Sequence, residues 1–96
     1  MNRREYNITL TVNGLFINKV IIDPHYEVKH RDSITDELII KLVKKLNGRS
    51  FEPEKIDEEI SYFKFETTFE NKNYRLIWML IEGALFIGVV NCHRRD

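Results

Sequence analysis

Proton carriers and cations gather towards the C-terminus of this chain. His93, Arg94 and Arg95 follow closely on the apolar run from Ala84 to Val90. Arg75 breaks a second apolar run, Tyr74 to Ile81, and Lys72 stands just before it. These residue types suit RNA cleavage without a metal. A base takes the proton of the 2′-hydroxyl, cations stabilise the charge developing on the phosphate, and an acid protonates the leaving oxygen. Histidine serves as base or acid near neutral pH. Arginine offers a planar fork of donors to phosphate oxygens. A charge within an apolar strand is costly unless it reaches water, a carboxylate or a ligand, so Arg75 demands a partner. The plainer reading of the same residues is a solvated segment with Arg75 in an ordinary ion pair.

A second polar group, Asp23, His25, Lys29, His30 and Arg31, precedes a helical pattern. A helix N-terminus favours phosphate, so Lys29, His30 and Arg31 join Lys72 as candidate RNA contacts. His25 and His30 lack a specified third ligand, so neither a metal site nor a cofactor is expected. There is no glycine-rich phosphate loop, no G-x-S-x-G, no H-E-x-x-H and no cysteine pair.

The elements that must position these groups are legible as patterns. Ile8, Leu10 and Val12 alternate with polar residues, Asn13-Gly14 supplies a two-residue type I′ turn, and Leu15 to Ile22 returns as the second strand. Ser33 or Thr35 caps a helix whose apolar stripe is Ile34, Leu38, Ile39, Leu42, Val43 and Leu46. Lys41, Lys44 and Lys45 oppose the negative end of its dipole, and Asn47-Gly48 stops it. Arg49 to Glu59 reads as a charged connection. Ile60 to Glu70 is a third strand, Asn71-Lys72-Asn73 a turn, Tyr74 to Ile81 a fourth strand, and Ala84 to about Cys92 a fifth beyond the Glu82-Gly83 turn. Tyr62, Phe63, Phe65, Tyr74 and Trp78 fall at strand spacing, as core and cross-strand partners.

The order is ββαβββ: an α+β domain over residues 1–96, with a mainly antiparallel sheet of about five strands and one main helix packed on a face. The last two strands are apolar on both faces and belong at the centre of the sheet. Strict alternation puts Leu85, Ile87, Val89, Asn91 and His93 on one face and Phe86, Gly88, Val90, Cys92 and Arg94 on the other. Antiparallel pairing of these strands brings Lys72, Arg75, His93, Arg94 and Arg95 to one end of the sheet.

Composition narrows the classes. Ninety-six residues with 43% hydrophobic content support one core, and no apolar run spans a bilayer, so no membrane partner is expected. The N-terminus has no secretory pattern, and Cys92 is the single cysteine, so a cytoplasmic protein without disulfides is expected. Asn7-Ile8-Thr9 fits a glycosylation sequon but lies in a predicted strand. Formal charge is zero, so nucleic-acid binding would depend on clustered cations rather than on overall charge.

The segment YRLIWMLIEGALFIGVVNCHRRD, Tyr74 to Asp96, resembles the end of RelE/ParE-type toxins of bacterial toxin–antitoxin pairs. These toxins often show a Tyr-Arg strand start, an acidic-glycine turn, a final apolar strand and a closing His-Arg-Arg-Asp stretch. Lys29-His30 followed by Ile34-Thr35-Asp36-Glu37-Leu38 resembles the Lys-His-Gly and Ser/Thr-x-Glu-Glu segment of BrnT-like toxins, with two additional residues. The resemblance implies a metal-independent endoribonuclease and a cognate antitoxin covering the basic end. Arg75, His93, Arg94 and Arg95 match the family's phosphate-handling and acid–base region. This chain differs in beginning with a hairpin and in being neutral overall. The alternative from another class is a non-enzymatic protein- or nucleic-acid-binding module, with an exposed hairpin strand as the element through which two copies would pair.

Overall fold

The computed structural model describes residues 3–24 and 34–95. Two strands, β1 (Arg4–Val12) and β2 (Leu15–Ile22), precede the helix α1 (Asp36–Lys44). Four strands follow it: β3 (Lys55–Asp57), β4 (Ile60–Phe69), β5 (Lys72–Ile81) and β6 (Phe86–Arg94). They form one six-stranded sheet in the order β1-β2-β6-β5-β4-β3. The α+β class, the single main helix among the described residues and the central position of the last two strands agree with the sequence reading.

Three features correct it. The sheet has six strands rather than five, because Lys55–Asp57, expected as part of a connection, pairs with Ile60–Tyr62. That strand is three exposed residues long and carries no apolar alternation by which to recognise it. The sheet is also mixed: β2 runs parallel to β6, with Val20 beside Ile87 and Ile22 beside Val89. Finally, the turn between β4 and β5 is Glu70-Asn71, both at positive φ, and Lys72 and Asn73 already belong to β5.

Local chemistry explains the elements. Asn13 and Gly14 take positive φ at 53° and 74°, and the β1–β2 hairpin closes around them as expected. The Asn13 side chain does more than turn the chain. Its Oδ1 accepts from the Phe51 N–H at 2.7 Å and its Nδ2 donates to the Phe51 carbonyl at 3.1 Å. That clamp holds Phe51 over the core, where its ring meets Phe65 and Trp78 edge to face.

Thr35, not Ser33, is the cap of α1. It is extended, and its Oγ1 accepts from the Leu38 N–H at 3.1 Å. Ser33 lies outside the described residues. Replacing Thr35 with Ala removes this acceptor and is expected to lower stability by about 1 kcal/mol, read as a shift in the urea midpoint with an unchanged slope.

The start of the helix is also tied to the sheet. Asp36 accepts from Arg4 Nε at 2.5 Å, Arg4 Nη2 at 2.9 Å and the Tyr6 hydroxyl at 2.5 Å. The hydrogen bond to Asp36, aided by desolvation, raises the Tyr6 pKa above its ordinary value. At the other end Lys45 Nζ donates to the Thr68 carbonyl at 3.0 Å, and Lys41 and Lys45 both lie over the Phe69 ring. Lys41 and Lys45 thus help to dock the helix.

The predicted stripe is buried through Ile34, Ile39, Leu42, Val43 and Leu46, against Val12, Ile17, Leu76, Trp78 and Ile87 of the sheet. One sheet face is therefore covered. On the other, Ile77, Met79 and Ile81 are only half-buried. No helix among the described residues is long and apolar enough to cross a membrane.

Candidate active site on the outer face of the sheet

The register of the central strands decides where the cations go. In β5 the buried residues are Tyr74, Leu76, Trp78 and Leu80, so Arg75 points to the opposite, outer face. Arg75 pairs with Glu66 of β4 on one side and with His93 of β6 on the other. Glu66, Arg75 and His93 therefore form one row across three antiparallel strands. Neighbouring strands lie ~4.8 Å apart, so the carboxylate strand and the imidazole strand stand about 10 Å apart with Arg75 between them.

His93 reaches this face because strict alternation fails. Ile77 pairs with Asn91 but Trp78 pairs with Val89, so β6 carries one extra residue at the bulge. Ile87 and Val89 face the core before it, and Cys92 faces the core after it. The expectation that His93 shares a face with Ile87 and Val89 is thus wrong. Without the bulge the faces would be reversed beyond Val90.

The bulge also divides the predicted cluster. Arg75 and His93 come together as expected. Arg95 follows β6, donates its backbone N–H to the Asn73 carbonyl at 2.9 Å and reaches Glu66 through Nε at 2.9 Å. Arg94 pairs with Tyr74 and falls on the helix-side alternation, where it is exposed. Lys72, the first residue of β5, has the same parity as Tyr74 and is exposed. Arg94 and Lys72 thus reach the same end of the sheet but not the same face as the Arg75 row. Lys29, His30 and Arg31 lie outside the described residues, as does His25.

Glu66 is the site residue that sequence reasoning missed. Its Oε2 accepts from Arg75 Nε at 2.9 Å, Arg75 Nη2 at 2.6 Å and Arg95 Nε at 2.9 Å. The hydrogen bond from Arg75 holds the Glu66 carboxyl below the usual carboxylate range; desolvation opposes it, and the charges of Arg95, Arg75 and Lys64 add to the lowering. The signal was present in the hairpin. A two-residue turn at Glu70-Asn71 sets Glu66 opposite Arg75, whereas the turn expected at Asn71 to Asn73 sets Phe69 there.

The row is partly open to solvent. Arg75 and Glu66 side chains are about a third exposed, at 33% and 35%. Further along the same face a groove of ≈ 450 Å³ is lined by Tyr62, Met79, Phe86 and Gly88. Gly88 gives the Met79 side chain its room there, and a larger residue would force Met79 to move. A Cβ on it would stand 2.6 Å from Met79 Cε and 2.9 Å from Met79 Cγ. Cys92, behind the site, is fully buried, and desolvation pushes its thiol up to about 12, which keeps it protonated and unreactive.

The arrangement is that of a small α+β domain whose sheet presents carboxylate, guanidinium and imidazole in one solvent-facing row. In comparisons with protein-family profiles, curated proteins and solved structures, nothing matches this chain.

Proposed function

We propose that this protein is a metal-independent endoribonuclease of the RelE/ParE toxin type, acting in the cytoplasm and restrained by a cognate antitoxin on its basic end. The single observation that carries the reading is the Glu66–Arg75–His93 row. Cleavage of RNA at a 2′-hydroxyl needs a base and an acid on opposite sides of one phosphate, with cations over its oxygens. Glu66 and His93 flank Arg75 from neighbouring strands, and Arg95 adds a second guanidinium next to Glu66.

In this mechanism the phosphate takes the Arg75 and Arg95 forks. Their field is then shared with the ligand, which relieves the depression of the Glu66 carboxyl and makes it a better base. Glu66 removes the 2′-hydroxyl proton as the 2′-oxygen forms its bond to phosphorus. The bond from phosphorus to the 5′-oxygen breaks, and His93 in its protonated form supplies the proton to that oxygen. The products are a 2′,3′-cyclic phosphate and a 5′-hydroxyl. Arg94 and Lys72, at the same end of the sheet but on its other face, would meet phosphates further along the strand than the scissile one, as would Lys29, His30 and Arg31.

The test is cleavage of a labelled RNA in EDTA, alone and on ribosomes. Cyclic-phosphate ends are expected, and a 2′-deoxy substitution at the scissile nucleotide should block the cut. Failure of the folded protein to cut either substrate overturns the reading. The use of Arg75 and Arg95 by Glu66 also favours a second reading, a binding module with an internally neutralised cluster. In that case RNA binding would fall steeply with salt while the RNA stayed intact.

A further inference from the structure

The end of the sheet opposite the arginines carries a second surface. Among the described residues, the large hydrophobics left exposed are Leu15, Phe16, Ile56 and Leu85, each between 49% and 65% exposed. All four line one groove of ≈ 500 Å³, whose walls also include Phe63 and Leu80. Singly scattered exposed hydrophobics are ordinary, but their collection into one concavity is the mark of a binding surface. The groove is formed where the β1–β2 turn, the β3–β4 turn and the β5–β6 connection meet. Its rim carries Glu58, Glu59 and Glu82, and no lysine or arginine is among its described lining residues.

We propose that this groove docks a segment of a different protein in which apolar side chains are flanked by lysine or arginine. Charge complementarity selects the cations and the exposed side chains select the apolar anchors. A symmetric pair of copies through this groove would set three glutamates against three glutamates. A head-to-tail pair would bring the arginine end of one copy to the groove, and among the described residues that end has no exposed large hydrophobic to fill it. The proposal is independent of the ribonuclease reading, because the two surfaces lie at opposite ends of β5.

The probe is a fluorescein-labelled synthetic peptide with a Leu-Trp-Leu centre and Lys-Arg flanks, followed by anisotropy against the full chain. Two control peptides carry Ser at the centre or Glu in the flanks. Binding is expected for the first peptide only. Phe16→Ser with Leu85→Ser should weaken it at least about tenfold. Glu58→Gln, Glu59→Gln and Glu82→Gln together should weaken it and flatten its salt dependence. All these positions are surface groups, and circular dichroism confirms that each variant is folded. Equal binding of the Ser-centred peptide, or affinity unchanged in the Phe16/Leu85 variant, overturns the proposal. So does concentration-dependent dimerisation abolished by the same two substitutions, which would make a second copy the occupant.

Discussion

Arg75→Ala is expected to reduce RNA cleavage by about 10²–10³-fold while the protein remains folded. The magnitude is that of removing one preorganised donor from developing negative charge. Arg75 is the centre of its row, hydrogen-bonded through Nε and Nη2 to Glu66 and cross-strand from His93. In the proposed mechanism, loss of its fork removes phosphate stabilisation, while the strand register keeps Glu66 and His93 in place. Arg75→Lys retains the charge but not the planar fork, so it should recover only part of the rate.

The pH behaviour gives an independent readout. In the parent protein the Arg75 hydrogen bond is the largest influence lowering the Glu66 pKa. In Arg75→Ala the carboxyl returns towards its ordinary range, so the acid limb of kcat/KM against pH should move to higher pH. Stability follows the corresponding sign. A carboxyl lowered in the folded state contributes stability above its unfolded pKa and loses it as pH falls through the folded value. Any difference in unfolding midpoint between parent and variant should thus be small at neutral pH, because the pair is open to solvent, and should vanish on acidification. Equal cleavage rates for parent and folded Arg75→Ala would remove the row from the mechanism.

Trp78→Ala is expected to be the most destabilising single truncation in the core, at about 3–5 kcal/mol. Such a cost is a large part of the about 5–15 kcal/mol that holds a typical domain folded. Trp78 is fully buried at the centre of β5. Phe63 stacks on it with centroids 4.2 Å apart, and Phe51 meets it edge to face at 5.5 Å. Asn13 holds the Phe51 backbone in place, so its ring could close only part of the cavity. Urea denaturation followed by circular dichroism measures the loss, since the chain's one tryptophan would be gone. Trp78→Phe should cost much less. Among the described residues the Trp78 Nε1 has no hydrogen-bond partner, and its removal relieves a desolvation penalty of about 1–3 kcal/mol that offsets part of the lost packing. A Trp78→Ala loss below about 1 kcal/mol would show that the aromatic cluster does not organise the core.

Part of the site was legible before any coordinates. Arg75 stood out as a charge in an apolar strand, and antiparallel pairing of the last two strands was enough to bring it beside His93. Glu66 was not found because the neighbouring turn was placed one to two residues late, and a hairpin's register depends entirely on its turn. Arg94 joins the cluster in the sequence reading because antiparallel pairing brings these residues to one end of the sheet. Its side chain nevertheless follows the alternation of Tyr74, on the helix side.

The chain's own pattern determined what local physics governs: the Asn13-Gly14 hairpin, the stripe and cap of α1, and the apolar central strands. Each rests on turn geometry or side-chain periodicity within a few residues. Tertiary structure alone decided the parallel β2–β6 contact, the added β3 edge, the bulge that turns His93 outward, and the gathering of four exposed hydrophobics among glutamates. These depend on which distant segments share an edge or a face, and that is settled by the joint burial of the core rather than by neighbours along the chain.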